Sequence, residues 1–248
     1  MKYLILFTLI VYLLIKRVEL FGSNGKRQSQ KQTKYKDSAY YKQTRNPYWK
    51  VMRDPGLLGE YRLYQQLRKV KGYKKFLFNV YLNKEDGTTT EIDMIMLHET
   101  GIYVFESKNY HGWIFGSENN KFWTAMYKTG RRYYRGTEKH KFFNPIWQNK
   151  LHIRILGNYI KQNVYVASYI IFGNGATLKD ITVNSKNVYL LKRNEVVDTL
   201  MYSMKDTEKC LDKESIKEIY TTLYPMTQVS DEVKQQHIKE IELHKTEK

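Results

Sequence analysis

A chain of 248 residues with 42% apolar residues, 14 Gly and 4 Pro carries enough apolar material for one sizeable core, which excludes a linker or a disordered class. Its single cysteine, Cys210, excludes an intramolecular disulfide and an all-cysteine zinc site, in keeping with a reducing compartment. The net charge of +17 is unevenly spread: residues 16–50 hold ten Lys/Arg against Glu19 and Asp37.

In chain order, Tyr3 to Ile15 is an apolar run of 13 residues behind Lys2. As a helix it measures about 20 Å against roughly 30 Å of bilayer hydrocarbon, so it spans only with Leu20 and Phe21 added while Lys16, Arg17 and Glu19 snorkel. A signal peptide is the rival reading, but no Ala-x-Ala site follows. The expectation is an uncleaved membrane anchor over 1–21, an N-terminal hydrophobic helix. The basic flank behind it places the rest of the chain in the cytoplasm, as a single-pass protein of the cell membrane. Residues 22–50 form a basic tether, flexible over Gly22 to Lys36, whose charges fix topology, rest on anionic lipid or touch nucleic-acid phosphates.

A core is expected over 51–172. Pro55-Gly56 opens a helix with a stripe of Leu57, Tyr61, Leu63, Tyr64 and Leu67, and Glu60 falls in its first turn, where a carboxylate suits the helix dipole. Phe76 to Leu82 reads as a strand, and Lys84 to Gly87 as a turn into Thr88–Asp93. Glu91-Ile92-Asp93-Met94-Ile95-Met96-Leu97, then His98 to Gly101, then Ile102-Tyr103-Val104-Phe105-Glu106-Ser107-Lys108 reads as an antiparallel hairpin. With Leu97 facing Ile102, Asp93 lies opposite Glu106 and Glu91 opposite Lys108, all four on one face. Directly opposed Cβ atoms sit about 4.5–5.5 Å apart, and two carboxylates so placed can bridge one divalent cation. The same residues also read as an ion-pair cluster of Glu91, Lys108 and Asp93 that holds only itself.

Further on, Gly112 to Gly116 and Trp123 to Tyr127 read as short strands. Lys128 to Arg132 is a polar turn, and Tyr133-Tyr134-Arg135 continues an aromatic and basic interleaving suited to stacking bases and binding phosphates. Asn144 caps a helix with Pro145 at its first position, burying Ile146, Leu151, Ile153, Ile155, Leu156, Tyr159 and Ile160, with Gln148 near the positive end of its dipole. His140 and His152 read as surface or packing residues. Val164 to Phe172 is a buried strand beside the hairpin. Over 173–248, a strand at Val188–Leu191, a helix capped by Asn194, and helices at 213–224 and 229–243 complete or extend the core, with Cys210 packed in a helix. No Walker loop, dinucleotide fingerprint or Gly-x-Ser-x-Gly elbow is present. The fold class is α/β, with a mixed central sheet flanked by helices.

Asp93, then Glu106-x-Lys108 at the end of an apolar strand, resembles the core of the restriction-endonuclease-like PD-(D/E)xK nucleases. Gly59-Glu60, Glu91-Ile92-Asp93, Phe105-Glu106-Ser107-Lys108-Asn109, Gly112-x-Ile114-x-Gly116, Trp123 and Asn144-Pro145-x-x-Gln148 together resemble the nuclease-related domain (NERD) family over about residues 54–172. The resemblance implies metal-dependent hydrolysis of DNA, or of RNA. Asp93 and Glu106 are hard oxygen donors that suit Mg²⁺ or Mn²⁺, with the Ser107 carbonyl completing coordination by analogy and Lys108 assisting the attacking water. It also turns Glu60 toward the site as a further metal or water ligand, and Gln148 toward the metal. The rival expectation is a membrane-anchored nucleic-acid-binding or scaffold module without catalysis.

Overall fold

The computed structural model describes residues 29–129, 136–160 and 162–246. The expected anchor and the Tyr133-Tyr134-Arg135 segment lie outside these residues; among the described ones, no helix is long and apolar enough to cross a membrane.

Helices α1 (residues 29–36), α2 (Ala39–Thr44), α3 (Tyr48–Arg53) and α4 (Pro55–Leu67) lead in. Part of the stretch expected as a flexible tether is therefore helical. The reason is aromatic: Tyr35 and Tyr40, both fully buried, pack with Tyr61 at ring centroid distances of 5.1 and 5.5 Å. Such pairs add to the burial of large rings, which outweighs the local polarity of the segment.

Strands β1 (Lys74–Asn83), β2 (Thr89–His98) and β3 (Gly101–Lys108) run antiparallel. Strand β3 then pairs in parallel with β7 (Val166–Phe172), and β7 with β9 (Val188–Lys192), giving the mixed sheet β1-β2-β3-β7-β9. Helix α5 (Pro145–Tyr159) makes the crossover between β3 and β7, as a parallel pair requires. Both faces are covered. Phe76, Phe78, Met94, Met96, Tyr103, Phe105 and Tyr169 pack under α2, α4 and α6 (Val196–Met204), whereas Leu77, Ile95, Leu97, Ile102 and Val104 pack with α5 and α7 (Lys213–Leu223). This double covering explains why β2 and β3 read as nearly unbroken apolar runs.

The single central sheet expected from sequence is corrected to two. Between β3 and α5 the chain builds β4 (Gly112–Ser117), β5 (Phe122–Thr129) and β6 (Gly136–Phe143), and β8 (Ala176–Thr182) joins them in parallel with β4 to give β6-β5-β4-β8. Ile114, Trp123, Ala125 and Phe142 from this second sheet close a third core against Ile146, Ile170 and Phe172. Strand β6 escapes a sequence reading because seven of its eight residues are exposed, leaving almost no apolar alternation.

Two smaller expectations also change. Helix α6 is N-capped by Glu195, not Asn194, and Cys210 is exposed in the loop before α7, where its amide donates to Glu99 O at 2.9 Å. A final helix, α8 (Asp231–Thr246), docks by His237 and Glu240, which meet Thr89 at 3.0 and 3.3 Å.

Candidate active site

The hairpin has the expected register: Leu97 faces Ile102, and the pairing holds through Met94 and Phe105. The ladder ends there, one pair before Asp93 and Glu106. The cause lies in the neighbouring strand, where Asn79 adopts φ +50°, a left-handed conformation that Asn tolerates better than most residues. Across that point the alternation of faces slips: Phe78 and Met94 enter the first core, but their neighbours two residues on, Val80 and Ile92, enter the second. Freed from the regular pleat, the Asp93 carboxylate reaches over to accept the Ser107 amide at 2.7 Å. It is thus the Ser107 N–H that meets Asp93.

The slip also corrects the expected pairing of Glu91 with Lys108. Glu91 instead accepts from Asn79 Nδ2 at 2.5 Å and lies 3.9 Å from His237. Lys108 pairs with Glu106 at 2.6 Å and donates to Gln148 Oε1 at 3.1 Å. Gln148 sits in the first turn of α5, whose start is as expected: Asn144 accepts from Ile146 N at 2.9 Å, and Pro145 is the first helical residue. Glu60 lies in the second turn of α4, not its first, because the helix begins at Pro55 with Asp54 as cap. A dipole role therefore does not account for it. Its carboxylate accepts from the Tyr40 hydroxyl at 3.2 Å.

Electrostatically the cluster carries too many acids for its cations. Burial, then the charge of Glu91, raises Glu60 from its ordinary 4.5 to about 8, against the hydrogen bond from Tyr40. Burial, then Glu106 and Glu60, raises Asp93 well above its ordinary 3.8, and Lys108 and the Ser107 amide only partly oppose this. Burial alone would lower Lys108, but Glu106 and Asp93 outweigh it and hold its ammonium firmly charged. One ammonium beside the three carboxyls of Glu60, Asp93 and Glu106 is an arrangement that a further cation stabilises.

His152 was expected at the surface or in plain packing; it is buried with Nδ1 3.5 Å from Glu106 Oε2. Burial lowers its pKa to about 4, so at neutral pH it is an uncharged ring beside the acid. The signal for it was in the sequence: His152 is four residues after Gln148, on the same face of α5. Tyr40 gave no such signal, since only tertiary packing brings it to Glu60. His140 is exposed on β6, as expected.

Among the described residues, no group of three or more His, Cys, Asp or Glu is arranged to hold a metal ion. The donor chemistry nevertheless fits a hard divalent cation: Asp93 and Glu106 offer carboxylate oxygens, and the buried Glu106 Oε2 has no hydrogen-bond partner.

Comparison with known proteins identifies the family of the segment that holds these residues. The nuclease-related domain family matches residues 55–173, which run from the start of α4 to just past β7 and hold Glu60, Asp93, Glu106, Lys108 and Gln148. An uncharacterized protein of Bacillus anthracis is 32% identical over 195 residues, covering 78% of this chain and 84% of that one. No solved structure matches. The chain belongs to the nuclease-related domain family.

Proposed function

We propose that the protein is a divalent-metal-dependent nuclease that hydrolyses phosphodiester bonds, of DNA first and of RNA as the alternative substrate. The observation that carries this reading is the convergence of Glu60, Asp93 and Glu106 around Lys108 at one end of the sheet, with more acid than the protein itself neutralises. Asp93 and Glu106 would hold Mg²⁺ or Mn²⁺, with the Ser107 carbonyl as a further ligand and Glu60 as a ligand to the ion or to water. When bound, such an ion supplies positive charge beside the phosphate and acidifies water enough for attack near neutral pH.

Lys108 has two tasks. Its ammonium, fixed between Glu106 and Gln148, orients the attacking water and steadies negative charge that grows on the phosphate oxygens. The water oxygen, giving up a proton, bonds to phosphorus as the bond to the leaving sugar oxygen breaks, and that sugar oxygen takes up a proton from solvent, so atoms and charge balance. Gln148 acts by holding Lys108 in place. On the second sheet, exposed Trp113 with Lys179 at 5.0 Å and Lys128 at 5.8 Å supplies an aromatic and basic surface for the nucleic acid. The apolar run at Tyr3–Ile15 would tether the enzyme to the cell membrane with its nuclease domain in the cytoplasm; recovery of the full chain in the soluble fraction would count against that.

One observation favours the rival, a non-catalytic binding module. The 2.6 Å pair of Glu106 and Lys108 already balances one acid of the cluster with a cation of the protein's own. Incubation of plasmid, linear and single-stranded DNA and RNA with Mg²⁺ or Mn²⁺ separates the two. Cleavage by the wild type that is lost in folded Asp93→Asn, Glu106→Gln and Lys108→Met, with binding retained, supports the enzyme. No cleavage and no Mn²⁺ binding by calorimetry supports the binding module.

A further inference from the structure

A cavity of about 570 Å³ opens beside the acid cluster at the carboxyl ends of β3 and β7, lined by Arg62, Asn109, His111, Gly173, Asn174 and Arg193. Arg193 is 8% exposed, yet among the described residues its guanidinium has one hydrogen-bond acceptor, the Gly59 carbonyl, at 3.3 Å from Nη1. Among the described residues, no carboxylate pairs with Arg62 or Arg193. Burial, and then the like charge of Arg62, lowers the pKa of Arg193. Two guanidiniums facing one cavity without a counter-charge are an arrangement that an anion completes, and the planar fork of Arg matches phosphate oxygens.

The cavity is also kept clear by a glycine. A Cβ on Gly173 would lie 2.9 Å from Asn109 Oδ1 and 3.6 Å from Arg193 Nη2, partly closing the approach to the fork. Its position relative to the acid cluster is fixed at two points. Asn109 follows Lys108, whose carbonyl accepts the Gly173 amide at 3.1 Å, and Gly59, the acceptor for Arg193, precedes Glu60.

We infer that this cavity is a phosphate subsite, in which Arg193 and Arg62 hold a backbone phosphate of the bound nucleic acid near the one positioned at Glu60, Asp93 and Glu106. The inference rests on the nuclease reading for its ligand, but its test does not depend on cleavage. In the full-length Asp93→Asn protein, the affinity for labelled single-stranded and duplex oligonucleotides is measured against salt, alone and with Arg193→Met, Arg62→Gln or Gly173→Ala added. Exposed Arg62 can be replaced without loss of fold, which protects the test if Arg193→Met unfolds.

The expected result is a roughly tenfold weaker affinity for each arginine lost, with the slope of log K against log salt falling by no more than about 0.7–0.9, the value of the one phosphate contact that the two share. Gly173→Ala weakens binding in the same direction. In the enzyme with Asp93 restored, the arginine variants raise KM more than they lower kcat. Unchanged affinity and salt slope in folded arginine variants overturn the subsite even if the wild type cleaves. Loss of binding in those variants supports it even if no protein cleaves, which would refute catalysis alone. Loss of binding to anionic lipid vesicles with oligonucleotide binding intact would also overturn it.

Discussion

The crowded carboxyls make a prediction about stability that does not need a substrate. Without a cation, the folded protein keeps a proton on Glu60 up to about pH 8, whereas the unfolded chain releases it near 4.5. Between those values the native state binds more protons than the unfolded state, so stability falls as pH rises. The window must start above about pH 6.5, because His152, lowered to about 4, works in the opposite sense below its ordinary 6.5. From about pH 6.5 to 8, Glu60 alone accounts for up to about 2 kcal/mol at 1.36 kcal/mol per pH unit, and Asp93 adds in the same direction. For a domain of this size that is roughly 4–8 °C in Tm. The assay is thermal or urea unfolding in EDTA at both pH values, with and without excess Mn²⁺, for the wild type and Glu60→Gln. We expect the EDTA sample to be less stable at the higher pH, Mn²⁺ to restore the difference, and Glu60→Gln to flatten the profile. A stability that is level or rising with pH in EDTA, and indifferent to Mn²⁺, would refute the claim that these acids await a cation.

The site carries further expectations. Lys108→Arg should lower cleavage by about a hundredfold or more, because the guanidinium fork cannot occupy the point position held by Glu106 and Gln148; steady-state kinetics on a labelled oligonucleotide checks this. Gln148→Met should lower kcat about tenfold with little change in Tm, since it frees Lys108 without leaving a charge unpaired. Glu118 is the structural control: it accepts the Asn184 and Ser185 amides at 2.7 and 2.9 Å and pairs with Lys150, so Glu118→Ala should cost about 2–4 kcal/mol in urea unfolding while leaving kcat per folded molecule unchanged. The same partners, against the cost of burial, lower the Glu118 pKa to about 2, so its contribution is present above 4.5 and is lost as pH falls toward 2.

What the amino-acid sequence determined by itself was local. Alternating and continuous apolar runs marked β1, β2, β3, β7 and β9. Asn144-Pro145 fixed the start of α5, because a cap and its first helical residue act within one turn. The Leu97–Ile102 register followed from the even turn between them, and it brought Asp93 and Glu106 to the same end of one hairpin. Tertiary structure decided what no local rule reaches. A left-handed Asn79 in the adjacent strand moved Glu91 away from Lys108 and turned Asp93 toward the Ser107 amide. Packing of α2 against α4 placed Tyr40 on Glu60, and closure of α5 over β3 set His152 against Glu106. The second sheet depended on β8 returning to β4 across more than fifty residues of intervening chain. Periodicity reports which face of an element is buried; which elements meet at that face depends on contacts distant in sequence, and these decide how the acids, the lysine and the two arginines stand toward one another.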